Sequence, residues 1–378
     1  MAAMHRRAWG LALAAGLLAL LSACASKPGR PEPGPLPASA GSQTVSKAWT
    51  ARLGPVTTPL QMVVQGTRVT LASTSGLVAE LDADSGRELW RLQIRDTVNA
   101  GMGSDGRRHA LITQSNELVV IEGGREVWRQ RLGAQSHTAP LVAGERVFVL
   151  TADRSVQAFD GASGQRLWGV QRNPADALVL RQAGLLAAVG DTLLAGNGGR
   201  LGALNPLNGQ TRWEALIGSS RGTNEVERLV DLVAGVNRQG QTVCVRSFQT
   251  AVACVDSARG QVLWSRASQG HQGIDGDETR VFGTESDSRL RAWSRRDGQP
   301  LWSEDGYRFR MLTAPRVWGP VLALGDGQGQ LHLLSREEGK TLQRQATDGS
   351  PMAVQPVVAG RTLVTVNRSG LVTGWRLD

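Results

Sequence analysis

Residues that could perform catalysis or hold a metal are few and scattered in this sequence of 378 residues. Beyond the N-terminal region the histidines are His109, His137, His271 and His332, and no two of them have the spacing of metal ligands. The segment GMGSDG, 101–106, matches the glycine pattern of dinucleotide-binding loops, but predicted strands flank it and no helix follows. A tight turn between two strands explains the glycines of this segment better than a dinucleotide site does. The sequence therefore predicts no enzyme, no bound metal and no cofactor.

Cys24 has the setting of a modified cysteine. A positively charged start at residues 5–7 and an apolar run over 11–21 end in the segment LSAC, 21–24. About 15 apolar residues are too few to cross a bilayer, so residues 1–23 are predicted to be a signal peptide. Small residues before a cysteine match the bacterial lipobox, in which the thiol is acylated and the chain is cut before it. We expect lipidation of Cys24; the alternative is an ordinary signal with an incidental cysteine.

Cys244 and Cys254 flank a predicted turn in the segment VCVRSFQTAVACVD, 243–256. Pairing the two strands around Gln249 puts the cysteines opposite each other, where cross-strand Cβ atoms lie about 4.5–5.5 Å apart. A slightly closer approach permits a disulfide, and an oxidising compartment would favour it. The spacing therefore predicts a bond between them, with two buried free thiols as the alternative.

A tryptophan repeat defines the elements that must position these residues. Segments such as SGRELW (85–90), SGQRLW (163–168) and DGQPLW (297–302) recur, each with a glycine ahead of a tryptophan. The repeat positions are 49, 90, 128, 168, 213, 264, 302 and 343, with Gln343 in the last tryptophan place. The 294 residues from 49 to 343 make seven steps with a mean of 42. That period is typical of four-stranded propeller blades.

The residues inside each period agree with this interpretation. In 138–171, for example, four short β-rich runs are separated by Gly and Asp turns, and both strand faces are apolar. After Gln343 only three more strands follow, whereas the segment around Trp49 has an outer-strand pattern without strands before it. Pairing the two ends completes an eighth blade. We therefore expect an all-β fold over 45–378: an eight-bladed β-propeller of four-stranded antiparallel blades, closed by its N- and C-terminal strands.

Composition outside the repeats limits the function classes. Residues 25–44 hold five of the fifteen prolines and no large apolar cluster, so 24–44 is predicted to be the lipidated N-terminus and a flexible tether. The formal net charge is +9, of which Arg6 and Arg7 in the signal contribute two. The charges are scattered without basic runs, which argues against nucleic-acid binding. A mildly basic surface suits anionic membranes or acidic partners.

Two families of eight-bladed propellers resemble this pattern. The Gly-x-x-x-Trp repeat is similar to the tryptophan-docking motifs of quinoprotein alcohol dehydrogenases, which bind pyrroloquinoline quinone and carry adjacent cysteines, a catalytic Asp and metal ligands. Here Cys244 and Cys254 are ten residues apart and the chain is much shorter. The whole chain more closely resembles the BamB family of the β-barrel assembly machinery, with its lipoprotein signal, short tether, eight repeats and two-ended closing blade.

The BamB resemblance implies a non-enzymatic scaffold, lipid-anchored at the periplasmic face of the outer membrane. Ala25, rather than Asp, after the lipidated cysteine also favours the outer membrane. The implied partner is the POTRA region of BamA, and through it the other Bam lipoproteins; direct contact with unfolded outer-membrane proteins is left open. Another function class remains: a propeller lipoprotein that binds peptidoglycan, a peptide or another envelope partner.

Two local stretches carry the more specific part of this resemblance. The segment ALVLRQ, 177–182, is similar to the Leu-x-Leu-Arg segment with which BamB binds BamA, and NEVERLVDLV, 224–233, resembles the acidic stretch of the same surface. The family's second Asp is replaced by Val233. Because the longest repeat gaps, 45 and 51 residues, contain these stretches, both lie on long connections at one face of neighbouring blades. The alternative is that the leucines start a buried strand. The resemblance implies a partner-binding patch of Leu178, Leu180, Arg181, Arg228 and Asp231.

Overall fold

The computed structural model describes residues 31–41, 44–171, 180–219 and 229–377, and in these residues the backbone forms 32 β-strands and no helix. None of the described residues belongs to a helix long and apolar enough to cross a membrane. The strands make eight four-stranded antiparallel sheets, each a blade of consecutive strands except the last. The predicted all-β, eight-bladed propeller is confirmed.

The strand bounds, blade by blade, are as follows. Blade 1 holds β2 Val63–Gln65, β3 Arg68–Ala72, β4 Leu77–Asp82 and β5 Glu88–Gln93. Blade 2 holds β6 Val98–Ser104, β7 Arg108–Thr113, β8 Glu117–Glu122 and β9 Arg125–Arg131. Blade 3 holds β10 Leu141–Ala143, β11 Arg146–Leu150, β12 Ser155–Asp160 and β13 Arg166–Gln171. Blade 4 holds β14 Leu186–Val189, β15 Thr192–Asn197, β16 Arg200–Leu204 and β17 Thr211–Leu216.

The second half continues the pattern. Blade 5 holds β18 Asn237–Gln239, β19 Thr242–Ser247, β20 Ala251–Asp256 and β21 Val262–Ala267. Blade 6 holds β22 Ile274–Gly276, β23 Arg280–Thr284, β24 Leu290–Ser294 and β25 Pro300–Glu304. Blade 7 holds β26 Arg316–Trp318, β27 Val321–Gly325, β28 Gln330–Ser335 and β29 Thr341–Ala346. Blade 8 holds β30 Val357–Ala359, β31 Thr362–Val366, β32 Leu371–Leu377 and, as its outer strand, β1 Val45–Arg52.

Blade 8 is completed by the two ends of the chain, as the sequence predicts. Strand β1 pairs antiparallel with β32, from Val45 opposite Leu377 to Arg52 opposite Leu371. The innermost strand of this blade, β30, contacts β2 of blade 1, which closes the ring. Closure gives the sheet edges of the first and last repeats a partner inside the same chain.

The core lies in the middle strands, where both faces of each blade are covered by a neighbour. Strand β11 is buried over Val147–Leu150, and β19 over Val243–Ser247. This burial explains the near-continuous apolar runs in the sequence, because a strand with solvent on one face would alternate apolar and polar residues. The outer strands do alternate: in β5 the even-numbered Trp90 and Leu92 are half-buried and their neighbours are exposed.

Each repeated tryptophan lies against the repeated glycine of the following blade. A Cβ built on any of these glycines would come within 2.5–3.1 Å of the tryptophan side chain, which leaves little or no room for a side chain at the glycine. The glycines also share a φ between 71° and 75°, a left-handed conformation that residues with a Cβ rarely adopt. The tryptophan–glycine pairs are 49–86, 90–124, 128–164, 168–209, 213–260, 264–298 and 302–339. The prediction that the rings fill the gaps between blades is confirmed.

The indole N–H adds a hydrogen bond to the same turn. Trp49, Trp128, Trp168, Trp213, Trp264 and Trp302 each donate to the carbonyl three residues before the glycine, over 2.7–3.2 Å. Trp90 differs because the next blade has a tighter turn, in which Glu122 pairs directly with Arg125. Its ring packs edge-on against His109, with the ring centroids 5.1 Å apart.

Gln343 stands at the one interface where a tryptophan would have no turn to contact. The outer strand of blade 8 comes from the N-terminus, so no hairpin turn from the preceding strand of that blade leads into it. The side-chain amides of Gln343 and Gln345 instead donate to the carbonyl of Val45, at 3.4 and 2.7 Å, where the chain enters β1. The break in the repeat therefore has a structural cause.

Cys244 and Cys254 are directly opposite each other in blade 5. They pair across β19 and β20 with their Cα atoms 4.0 Å apart, and the sulfurs are joined in a disulfide. Gln249 lies in the turn with a positive φ of 48°, so the register is the one the sequence predicts. Both cysteines are fully buried between neighbouring blades. Because the disulfide joins two strands that are already paired in one hairpin, the loop that it closes is short.

Replacing Trp264 by Ala should lower the free energy of unfolding by about 3–5 kcal/mol, because a large ring leaves a cavity between blades 5 and 6. Trp264 is 6% exposed, whereas its neighbour Leu263 is 45% exposed. Leu263→Ala is therefore the matched control, with an expected change within about 0.5 kcal/mol. Urea unfolding followed by circular dichroism measures both. Equal losses for the two variants would contradict the assigned role of the ring.

Protein taken from an oxidising compartment and denatured without reductant should show no reactive thiol at Cys244 or Cys254, because the two sulfurs are bonded. The same sample after reduction should show two, which is the control. The chain-entropy model gives the bond about 2–3 kcal/mol of stabilisation at most. Two thiols reacting before reduction would show that the pair is free in the folded protein.

Candidate partner-binding site

Two long connections at one face of the propeller carry the candidate patch. Residues 172–185 join β13 to β14, and residues 217–236 join β17 to β18. Each runs from the outer strand of one blade to the inner strand of the next, and such connections share one face of a propeller. The structure describes residues 180–185, 217–219 and 229–236 of them.

The described parts of the two connections lie side by side. Gly184 forms an antiparallel bridge with Val233, and the N–H of Ala234 donates to the carbonyl of Ala183 over 2.9 Å. The N–H of Leu180 donates to a carboxylate oxygen of Asp231 over 3.0 Å. Two stretches that are about fifty residues apart in sequence therefore meet through main-chain and carboxylate hydrogen bonds.

Asp231 makes contacts that link these connections to each other and to the blades. Besides Leu180, its carboxylate faces the guanidinium of Arg154 at 3.7 Å, and its main-chain carbonyl accepts the N–H of Phe248 over 2.8 Å. The side chains of Arg154 and Asp231 are 10% and 19% exposed, so solvent screens the pair only in part. Asp231 thus holds residues of neighbouring blades in place, through its carboxylate to Leu180 and Arg154 and through its main-chain carbonyl to Phe248.

Leu180 lines a small open cleft, and Arg181 follows it in the sequence. Leu180 is half-buried and Arg181 is exposed. On the blade 3 side the cleft is lined by His137, whose imidazole pKa is lowered by burial and by the nearby Arg181 charge. The ring is therefore neutral at neutral pH, and the exposed cationic group near it is Arg181. An apolar side chain beside an exposed guanidinium is a suitable contact for a partner with an acidic, partly apolar surface.

Val233 lies in the interior, which explains its departure from the family pattern. Its side chain is 2% exposed, and its N–H donates to the carbonyl of Arg246 over 3.1 Å. Arg246 is itself fully buried, donates to the carbonyl of Thr284 over 2.6 Å, and has its pKa lowered to about 10 by burial. A valine suits this position, since an unpaired carboxylate there would be costly.

Three of the predicted site residues lie outside the described residues: Cys24, Leu178 and Arg228. The structure therefore places Leu180, Arg181 and Asp231 only. It adds Arg154 and His137, which sequence reasoning missed. Arg154 sits in the turn between β11 and β12 of blade 3, with a positive φ of 63°, and no local motif connects it to Asp231, 77 residues later.

The other residues that could carry chemistry have structural contacts. Among the described residues no group of three or more His, Cys, Asp or Glu side chains could hold a metal. The segment 101–106 ends β6 and begins the turn into β7, and a Cβ on Gly103 would lie 1.8 Å from the carbonyl oxygen of Pro140 in blade 3. His332 is fully buried and bonded to Asp326 over 2.9 Å.

The sequence also contains a match to the Gly-x-Ser-x-Gly pattern of hydrolase nucleophile elbows at 218–222. That motif requires a sharp turn from a strand of an α/β sheet into a helix. Here the match follows β17, the outer strand of a propeller blade, and Ser220 lies outside the described residues. The propeller context does not supply the scaffold that the motif needs.

Comparison with known proteins identifies relatives over the whole length. A family model described as "Outer membrane protein assembly factor BamB" matches residues 43–304. The curated relative of that name from Burkholderia pseudomallei is 33% identical over 377 residues, covering 99% of both chains. The one from Bordetella pertussis is 31% identical and covers 96% of both chains.

Solved structures agree on the fold. The crystal structure of BamB from Moraxella catarrhalis superposes with a TM-score of 0.80 at 24% identity, covering 88% of this chain and 100% of that chain. A quinohemoprotein alcohol dehydrogenase from Comamonas testosteroni superposes with a TM-score of 0.67 at 13% identity, covering 89% of this chain and 77% of its own. At these identities both likenesses show the propeller fold alone.

Proposed function

Since the chain belongs to the BamB family of outer membrane protein assembly factors, we propose that it is a non-enzymatic scaffold of the outer-membrane β-barrel assembly machinery. The scaffold is held at the periplasmic face of the outer membrane by lipid on Cys24 and docks on the POTRA region of BamA. Residues 1–23 are its signal peptide. Through BamA it joins the other Bam lipoproteins and aids insertion of β-barrel proteins.

One observation supports the docking proposal above the others. The two long connections, 172–185 and 217–236, are hydrogen-bonded to each other at one face of the propeller. Long connections are costly unless their backbone groups find partners, and here the two supply partners for one another through Gly184, Val233 and Asp231. The described residues of the two connections thus supply a preformed part of the surface, which loses little conformational entropy when a partner binds. Binding residues on loops held by a rigid scaffold are a recurring arrangement.

The proposed contact surface, the docking patch, consists of Leu178, Leu180, Arg181, Arg228 and Asp231. Leu180 and Arg181 supply the direct contact: an apolar centre and an adjacent exposed guanidinium that can form a bidentate pair with a carboxylate. Asp231 holds Leu180 in position through its N–H. Leu178 and Arg228 extend the same two connections and are included from the family resemblance.

Replacing Cys24 by Ser should release the protein from membranes into the soluble periplasmic fraction, since more than one acyl chain is what gives stable anchoring. Fractionation of cells and immunoblotting measure the distribution, with an Ala25→Ser variant as a control that leaves the cysteine intact. A Cys24→Ser protein that stays with outer membranes in high salt would contradict anchoring by lipid.

The double variant Leu178→Ala with Arg181→Ala should abolish co-purification of BamA from detergent-solubilised envelopes, because it removes the apolar centre and the cation together. The melting temperature should change by only a few degrees. Asp231→Ala should weaken binding less, since it loosens Leu180 but leaves Leu178 and Arg181. The matched control is Arg166→Ala with Leu167→Ala, an exposed pair on the outer strand β13.

Normal BamA binding by the double variant would show that the docking patch is misplaced. Loss of binding together with a large fall in melting temperature would show that Leu178 belongs to the core, which is the alternative interpretation of this segment.

A further inference from the structure

Residues 34–41, the strap, lie on the outer edge of blade 7 although the sequence predicts them to be part of the tether. The N–H groups of Ala40 and Gly41 donate to the carbonyls of Thr341 and Leu342 in β29, over 3.0 and 2.9 Å. Strand β29 is the outermost of its blade, so the strap covers an edge whose backbone groups would otherwise face solvent.

Side chains hold the middle of the strap. Leu36 packs against the buried cluster that includes Tyr307, Leu312 and Leu334 between blades 6 and 7. Pro37 lies over Gly306, where an added Cβ would come within 2.5 Å of the proline ring. The carbonyl of Pro37 accepts a hydrogen bond from Arg344 over 2.5 Å. The strap therefore has both an apolar anchor and a polar one.

Gly34, at the beginning of the strap, is bound by a buried polar network. Its N–H donates to the carbonyl of Arg308 over 3.0 Å, and its carbonyl accepts from Arg310 over 3.1 Å. Arg310 in turn pairs with Asp326 at 3.2 Å, and Asp326 is fully buried and bonded to His332. A guanidinium fixed on its other side by a buried carboxylate is a rigid donor for the Gly34 carbonyl.

The two ends of the strap lie at opposite faces of the propeller. Arg308 and Arg310 belong to the connection from β25 to β26, which runs from an outer strand to the next inner strand, as do the connections of the docking patch. Thr341 and Leu342 begin β29, at the other face, where Val45 also begins the outer strand β1. The chain thus reaches the propeller at the docking-patch face and crosses the blade edge before it enters the fold.

We infer that the strap makes the lipid tether leave the propeller at the docking-patch face and so turns that face toward the membrane. This inference rests on the proposed lipidation of Cys24. Only the ten residues 24–33 then separate the lipid from Gly34, a reach of at most about 33–36 Å. Without the strap the tether would extend to Val45, reach about twice as far and leave from the opposite face.

The strap itself can be tested on soluble Cys24→Ser protein, independently of the lipid. Spin labels are attached at Ala38→Cys in the strap and Gln299→Cys in blade 6, two exposed positions. Pulsed electron paramagnetic resonance then measures the distance between the two labels. A narrow distance distribution is expected. Leu36→Asp should broaden it, and Gly306→Val, which pushes on Pro37 without changing the strap, should do the same. Pro35→Asp, an exposed neighbour, is the matched control. A broad distribution without the Leu36 or Gly306 change would overturn the strap.

The orientation is tested on the lipidated protein in vesicles of phosphatidylethanolamine and phosphatidylglycerol that contain an acceptor-labelled lipid. A donor dye at Arg308→Cys, on the docking-patch face, should transfer energy several-fold more efficiently than one at Glu278→Cys, in the β22–β23 turn at the other face of the same blade. Leu36→Asp should remove the difference. Equal or greater transfer from position 278 in the unmodified strap would overturn the orientation. If Cys24→Ser protein floats with vesicles equally well, the lipid anchor fails while the spin-label result stands.

Discussion

The indole of each outer strand rests on the turn glycine of the following blade, and the ring of eight blades depends on this contact. A glycine is required twice over, since its left-handed φ forms the turn and its missing side chain makes room for the ring. The indole N–H then bonds the same turn, so neighbouring blades are held at a fixed rotation. Seven contacts of this kind follow one another around the ring, from Trp49 of blade 8 on blade 1 to Trp302 of blade 6 on blade 7.

At the interface between blades 7 and 8, where the chain ends pair, a glutamine hydrogen bond replaces the tryptophan–glycine contact. Blade 8 has no turn leading into its outer strand, because that strand is the start of the fold, and Gln343 therefore bonds the entering carbonyl of Val45 in place of stacking. The strap lies on this same blade 7 edge, joined to Thr341 and Leu342. At this edge of blade 7 the N-terminal segment therefore supplies hydrogen bonds to β29 next to the Gln343 contact.

The docking patch depends on the ring in a different way. Its connections are too long to be fixed by a turn, and their described parts, residues 180–185 and 229–236, pair with each other and with neighbouring blades. Asp231 and Val233 follow one another closely in sequence, yet one accepts the Leu180 N–H near the surface and the other packs inside against Arg246. The rigid blades beneath hold these distances, which is why the surface can be preformed.

The sequence by itself determined the blade count, the closure by both ends and the cross-strand register of Cys244 and Cys254. These follow from local periodicity and from turn residues, and the same pattern of both recurs in each repeat. It could not reveal that Arg154 meets Asp231, that Val233 is buried, or that a proline-rich segment binds along β29. Those contacts join residues dozens to hundreds of positions apart, and they exist only because the closed ring brings separate turns and edges together. The repeated motif is enough to predict how each blade packs on the next. The contacts of the non-repeating connections and of the strap depend on the tertiary structure alone.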